Sequence, residues 1–162
     1  MGIIVKDEGY SSSFPPTPEG VHPAVCYGIY DVGKQYSERY NKSSKKVVIQ
    51  WELPEQRLDI EKDGETVNLP RVASKTYTQS LGEKSNLRKD LESWRGKHFT
   101  DQELEGFDIS KLMGVNCMIQ IIHKRKDNKV YQNVAAVLPP YDKTKKYEPE
   151  NPKAYFSFSD QT

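Results

Sequence analysis

The amino-acid sequence predicts a mainly β protein built around one domain. Three observations predict this class: short apolar runs that alternate with polar residues, turn signals between the runs, and one helical region among them. Alternation with a period of two is the pattern of strands that bury one face. The chain has 162 residues, of which 35% are hydrophobic and 29% are charged. It is therefore long enough for one core and not polar enough to be disordered throughout.

The first two strands are predicted in the N-terminal third of the chain. Residues 21–33 predict a long strand in which Gly28 is a bend or bulge. Residues 34–46 are polar and are expected to form a loop. The run 47–53 predicts the second strand, which we expect to end at Pro54. Its period of two predicts one buried face, formed by Val47, Ile49, Trp51 and Leu53.

A hairpin and a helix follow. Asp63-Gly64 lies between alternating runs and is typical of a tight β-turn, and residues 72–78 predict a further extended segment. Ser85 is a candidate N-cap of a helix that ends at Gly96 and buries one face, formed by Leu87, Leu91 and Trp94. Thr100 opens a capping box and predicts a second, shorter helix.

Two more strands complete the domain, at 115–122 and 130–138, joined by a polar loop at 124–129. A helical insert between strands 3 and 4 narrows the prediction to an OB-fold-like five-stranded Greek-key barrel. We therefore predict a flexible N-terminal arm (residues 1–19), a nucleic-acid-binding domain (20–140) and a C-terminal tail (141–162).

Charge is distributed unevenly along a chain whose net charge is only +1. Residues 34–46 hold five Lys or Arg against one Glu, and residues 124–129 hold four against one Asp. Residues 52–65 hold six acidic residues against two basic ones. Such loops can simply be solvated, but in an OB-fold the loops between strands 1 and 2 and between strands 4 and 5 flank the ligand.

The sequence therefore predicts an electrostatic groove for the phosphate backbone, with tyrosines that stack on bases. The candidate nucleic-acid-binding residues are Lys34, Tyr36, Arg39, Tyr40, Lys42, Lys45, Lys46, Tyr77, Lys124, Arg125, Lys126, Lys129 and Tyr131.

Two stretches carry a resemblance to a known family. They are VIQWELP (48–54) and KTYTQSLGEKSNLRKDLESWRGKHFTDQELEGFDISKLMG (75–114). Over roughly residues 20–140 the sequence resembles phage-encoded single-stranded-DNA-binding proteins with an OB-like barrel. The resemblance implies a non-catalytic protein that binds single-stranded DNA during phage replication or recombination, in the bacterial cytoplasm.

The sequence predicts no catalytic residue, metal site or cofactor. Cys26 and Cys117 are expected to be reduced core residues, and no run has the length of a membrane span. Two alternatives stay open: a protein-interaction or assembly module on the same barrel, and a metal-dependent nuclease that uses Asp59, Glu61 and Asp63. Binding to RNA, a homo-oligomer, and a replication or recombination protein that contacts the tail also stay open.

Overall fold

The fold is known from a computed structural model that describes residues 15–156. Residues 1–14 of the predicted arm and 157–162 of the predicted tail lie outside the described residues. The elements in chain order are the strands β1 (Gly20–Ser37), β2 (Lys42–Lys62) and β3 (Glu65–Thr78), the helices α1 (Asn86–Arg95) and α2 (Asp101–Glu105), a 3-10 turn (Ile109–Leu112), and the strands β4 (Asn116–Lys126), β5 (Lys129–Leu138) and β6 (Ala154–Phe156).

Five strands form one curled antiparallel sheet in the order β3-β2-β1-β4-β5, and together they make a half-barrel. The mainly β prediction is therefore confirmed. The sheet depends on β1, which pairs with β2 along residues 25–37 and with β4 along residues 20–25. The short β6 pairs in parallel with β1 at residues 28–30.

Gly28 is the site of a register shift between β1 and β2, as its place in the sequence predicts. A Cβ atom at this position would lie 2.7 Å from the side-chain oxygen of Gln50. Only glycine therefore lets β1 bend here without displacing its neighbour.

The predicted core faces are confirmed. Val47, Ile49, Trp51 and Leu53 are all buried on one side of β2. The indole rings of Trp51 and Trp94 lie 5.9 Å apart between centroids, so α1 packs on the same core. Ser85 and Gly96 cap α1 as predicted, Gly96 with a φ of 73°. The predicted capping box at Thr100 is also present.

Three predicted boundaries are wrong. β2 does not end at Pro54 but continues to Lys62, because an irregularity between Leu53 and Arg57 accommodates the missing N–H of proline. The predicted loops 34–46 and 124–129 are mostly strand. Backbone ladders need no apolar side chains, so the polar residues of these segments still pair across each hairpin.

Residues 15–19 connect the two outer strands of the half-barrel. The Arg71 guanidinium donates to the Pro15 carbonyl at 2.6 Å, and the Thr17 N–H donates to the side-chain oxygen of Gln132 at 2.9 Å. Gln132 in turn donates to the Val72 carbonyl at 3.2 Å. These bonds hold β3 and β5 near each other where no ladder joins them.

Within residues 15–156, no helix is long and apolar enough to cross a membrane.

Candidate nucleic-acid interface

The first basic segment forms a hairpin that extends beyond the rest of the sheet. The last residue of β3, Thr78, pairs with Lys46, and beyond it only β1 and β2 continue. We call residues 34–45 the first hairpin. Among residues 15–156 no further strand pairs with this hairpin, and most of its side chains are exposed.

One face of the first hairpin combines positive charge with an aromatic ring. Lys34 pairs with Lys45, and Tyr36 pairs with Ser43, so these side chains point to the same side. Alternation along β2 makes this side continuous with the buried face of the sheet, because Lys45 lies two residues from Val47. Tyr36 is 60% exposed, so its ring is free to stack on a ligand.

The tip of the first hairpin has a second aromatic residue. Tyr40 is 69% exposed, and the Arg39 guanidinium lies 5.3 Å from the centroid of its ring. The Tyr36 hydroxyl donates to Asn41, which turns the chain with a φ of 48°. The tip thus presents two accessible rings and one guanidinium.

The lysines of the first hairpin are available to a ligand. Lys34, Lys42 and Lys45 make no side-chain hydrogen bond or ion pair with any described residue. Lys46, at the base of the hairpin, donates to the Thr78 hydroxyl at 2.6 Å. Charges that no carboxylate neutralises are those that can attract phosphate.

The second basic segment forms a second hairpin (residues 124–131), which turns at Asp127-Asn128 with positive φ at both residues. Lys124 pairs with Tyr131, and Lys126 pairs with Lys129, so these four side chains share one face. Arg125 points to the opposite face with Val130. Tyr131 is 48% exposed. None of the four basic side chains has a hydrogen bond or ion pair among residues 15–156.

Tyr77 is a correction to the predicted set. Its ring is 2% exposed, because Tyr77 pairs with Val47 on the buried face of the sheet. Its hydroxyl donates to Asp90 at 2.7 Å, and burial together with the Asp90 charge raises the pKa of Tyr77. Lys75 donates to the same carboxylate oxygen at 2.8 Å. Tyr77 is therefore a core residue that anchors α1 and cannot stack on a base.

The two basic hairpins lie at opposite ends of β1. Gly20 pairs with Ile121, shortly before the second hairpin, whereas Ser37 pairs with Lys42 in the first. An extended strand of 18 residues spans at most about 60 Å. The structure therefore gathers the predicted residues into two groups. Lys45 shares the core side of β2 with Val47, whereas Lys124 lies three residues from buried Ile121 and so points to the opposite side of β4. A ligand that touches both groups has to follow the length of β1 and cross from one side of the sheet to the other.

The segment 139–156 packs on the sheet: its middle contacts Glu52, on the side of β2 opposite Trp51 and Leu53, and its end forms β6 beside β1. Glu52 is fully buried there, and its carboxylate accepts the backbone N–H groups of Glu150 at 2.8 Å and Asn151 at 2.6 Å. Asn116 and Tyr147 exchange two hydrogen bonds between side chain and backbone. We call residues 139–156 the C-terminal segment.

The C-terminal segment also brings basic and aromatic residues that the sequence analysis did not select. Lys143, Lys145 and Lys146 lie beside Tyr141 and Tyr147, with Asp142 as the only acidic residue of 139–147. The signal for this cluster was its local charge: residues 141–147 hold three Lys against one Asp.

The structure describes the three acidic residues of the nuclease alternative and both cysteines. The Asp59 carboxylate accepts a hydrogen bond from the Asn68 side chain at 2.9 Å, and Glu61 and Asp63 are exposed on the hairpin formed by β2 and β3. No group of three or more His, Cys, Asp or Glu in the described part of the chain could hold a metal ion. Cys26 and Cys117 are free and buried, and burial raises the pKa of the Cys26 thiol to about 12.

Comparisons with known proteins give no relative. No protein-family model, no curated protein and no solved structure matches the chain. The resemblance to phage single-stranded-DNA-binding proteins therefore stays a prediction.

Proposed function

We propose that this protein binds single-stranded DNA without catalysis and largely without sequence preference. One observation carries the proposal. Within each basic hairpin, lysines and an exposed tyrosine lie on one face of that hairpin, and no described carboxylate pairs with those lysines. Lysines that contact phosphates supply sequence-independent affinity, and a base that stacks on an aromatic ring contributes roughly 1–3 kcal/mol.

The topology supports an OB-type half-barrel as the scaffold. The strand order β3-β2-β1-β4-β5, the helical region between β3 and β4, and the bond from Gln132 to Val72 between the outer strands are those expected of a five-stranded barrel of this type. With the resemblance to phage proteins, this suggests a role in protecting exposed strands during phage replication or recombination in the host cytoplasm.

The test is fluorescence anisotropy of a labelled oligo-dT of about 30 nucleotides, titrated without metal at several salt concentrations. We expect binding whose affinity falls steeply with salt. The double variants Lys34→Glu/Lys45→Glu and Lys124→Glu/Lys126→Glu should each weaken binding by about tenfold or more, because each adds repulsion from phosphate.

The matched control is Lys62→Glu/Lys84→Glu, which changes the net charge equally at exposed positions outside both hairpins. It should weaken binding far less than either hairpin variant. If the wild-type protein does not bind even at low salt, or if the control loses as much affinity as the hairpin variants, the proposal is wrong. The first result would favour the alternative of a protein-interaction or assembly module.

A further inference from the structure

A cavity of about 590 Å³ lies between the C-terminal end of α1, the start of β4 and the C-terminal segment. Trp94 and Leu112 contribute apolar surface to its wall. Four cationic side chains also line it, namely Arg95, Lys143, Lys145 and Lys146, and no Asp or Glu is among its lining residues. A concave surface of this charge, at the size usual for small-molecule sites, is suited to an anion.

The positive charge of the cavity is only partly neutralised by its surroundings. Arg95 forms an ion pair with Glu103 at 2.7 Å, and Lys145 forms one with Glu55 at 3.3 Å. Lys143 and Lys146 have no ion-pair or hydrogen-bond partner among residues 15–156. Two of the four cations are therefore free to bind a ligand.

The Arg95 side chain is held in place on the wall of the first cavity. Its guanidinium carbon lies 4.4 Å from the centroid of the Phe99 ring, which holds the side chain in place. Its Nη1 atom is buried and has no hydrogen-bond acceptor. Because Nη1 is closed off by its surroundings, Arg95 contributes positive charge to the wall of the cavity and leaves direct contact with a ligand to Lys143 and Lys146.

A second cavity, of about 410 Å³, adjoins the first and differs in chemistry. The two cavities share Asn116, Pro140 and Lys145. The second is lined by Tyr141 and Tyr147, together with apolar residues of β1 and β4 such as Pro23 and Met118. Tyr141 is 92% exposed, so one ring at the rim is available for stacking.

We propose that these two cavities form a binding site for one nucleotide, with its phosphate in the cationic cavity and its base against Tyr141 in the adjoining one. The site uses none of the residues of the basic hairpins, so it can be tested separately from the proposed function. The shared chemistry is a phosphate next to a flat aromatic base, supplied either by a free nucleotide or by the end of a bound strand.

Hydrogen bonds fix the backbone around the two cavities. Tyr147 and Asn116 hold each other by two hydrogen bonds, at 2.8 and 3.0 Å. Asp142 accepts the N–H of Thr144 at 2.9 Å, which fixes the turn that carries the lysines. These bonds fix the backbone that carries Lys143 and Lys146, so binding would have to order only the side chains that contact the ligand.

The test is isothermal titration calorimetry of the full chain at low salt with three probes: pyrophosphate, dTMP and 5′-phosphorylated dT10. We expect the wild-type protein to bind pyrophosphate and at least one of the two nucleotide probes. Lys143→Glu/Lys146→Glu should weaken both kinds of binding by about tenfold or more, because both free cations are reversed. The control Lys62→Glu/Lys84→Glu should not.

A second variant separates the two halves of the site. Tyr141→Ala should leave pyrophosphate binding unchanged and weaken nucleotide binding several-fold, because it removes only the exposed ring. These titrations are repeated with the four hairpin lysines 34, 45, 124 and 126 changed to Glu. If this variant binds dTMP, the ligand is a free nucleotide. If it binds phosphorylated dT10 but not dTMP, the ligand is the end of a strand.

Two results would overturn the site. One is a protein with the four hairpin lysines changed to Glu that binds none of the three probes at millimolar concentration. The other is a Lys143→Glu/Lys146→Glu variant that binds as tightly as the control. If either occurs while the hairpin variants still lose oligo-dT binding, the nucleotide site is refuted and the proposed function is not.

Discussion

The acidic segment (residues 52–65) and the two basic hairpins use their charges in opposite ways. Three of the six acidic side chains bind inside the molecule: Glu52 and Glu55 hold the C-terminal segment, and Asp59 accepts from Asn68. The lysines of the basic hairpins instead extend into solvent without carboxylate partners among the described residues. Whether a charged segment has a structural role therefore depends on which other segments of the chain pack against it.

The position of each segment along the sheet explains the difference. Glu52 lies opposite Val25, the residue at which β1 pairs with both β2 and β4, and its carboxylate binds the C-terminal segment. The first hairpin begins beyond the end of β3, where no other strand of the described part of the chain packs beside it. The buried carboxylate of Glu52 thus has a structural role, whereas the lysines at the ends of the sheet are available to a ligand.

The largest effect on stability is expected for Glu52→Ala. Two backbone N–H groups of the C-terminal segment would lose a buried carboxylate acceptor, and we expect the free energy of unfolding to fall by about 3 kcal/mol. Urea denaturation measures this change. Glu61→Ala, at an exposed position of the same strand, should change stability by less than about 0.5 kcal/mol. Equal losses for the two variants would contradict the distinction between covered and exposed carboxylates.

Acid should loosen the C-terminal segment before it affects the basic hairpins. Hydrogen bonds from Tyr147 and Arg57 hold the pKa values of Glu55 and Glu150, respectively, below their usual value of 4.5. A carboxyl whose pKa is lowered by folding stabilises the fold above its unfolded pKa, and this stability is lost as the pH falls through the folded pKa.

We therefore expect faster amide hydrogen exchange in residues 141–153 below about pH 4.5, after correction for the intrinsic exchange rate. The double variant Glu55→Gln/Glu150→Gln should remove most of this pH dependence. An unchanged pH dependence in that variant would show that other groups hold the segment.

The smallest effect is expected in the first hairpin. Lys34 and Lys45 are directly opposed, so the change Lys34→Glu replaces repulsion by attraction across the strands. We expect stability to rise by about 0.5 kcal/mol while binding to oligo-dT weakens. Thermal unfolding and anisotropy of the same variant measure both changes. A loss of stability would mean that Lys34 has a structural role that its exposure does not reveal.

Local patterns predicted the core of this fold well. The alternation of Val47, Ile49, Trp51 and Leu53 identified the buried face of β2, since a period of two is decided by the backbone alone. The caps of α1 at Ser85 and Gly96 were also predicted, because each acts on backbone groups only a few residues away. Tyr77 shows the limit of such reasoning. Its neighbours in the sequence are polar, and only pairing with Val47 places its ring in the core.

The sequence by itself determined the mainly β class, the faces of the central strand, the helix caps and the two concentrations of positive charge. These features depend on residues close together in the sequence, whose spacing fixes the side to which each side chain points. Only the tertiary structure decided that the basic segments are hairpins at opposite ends of β1, and that residues 139–156 pack on the sheet and line two cavities. Those features depend on contacts between residues far apart in the chain, such as Glu52 with Asn151, and no local pattern encodes them.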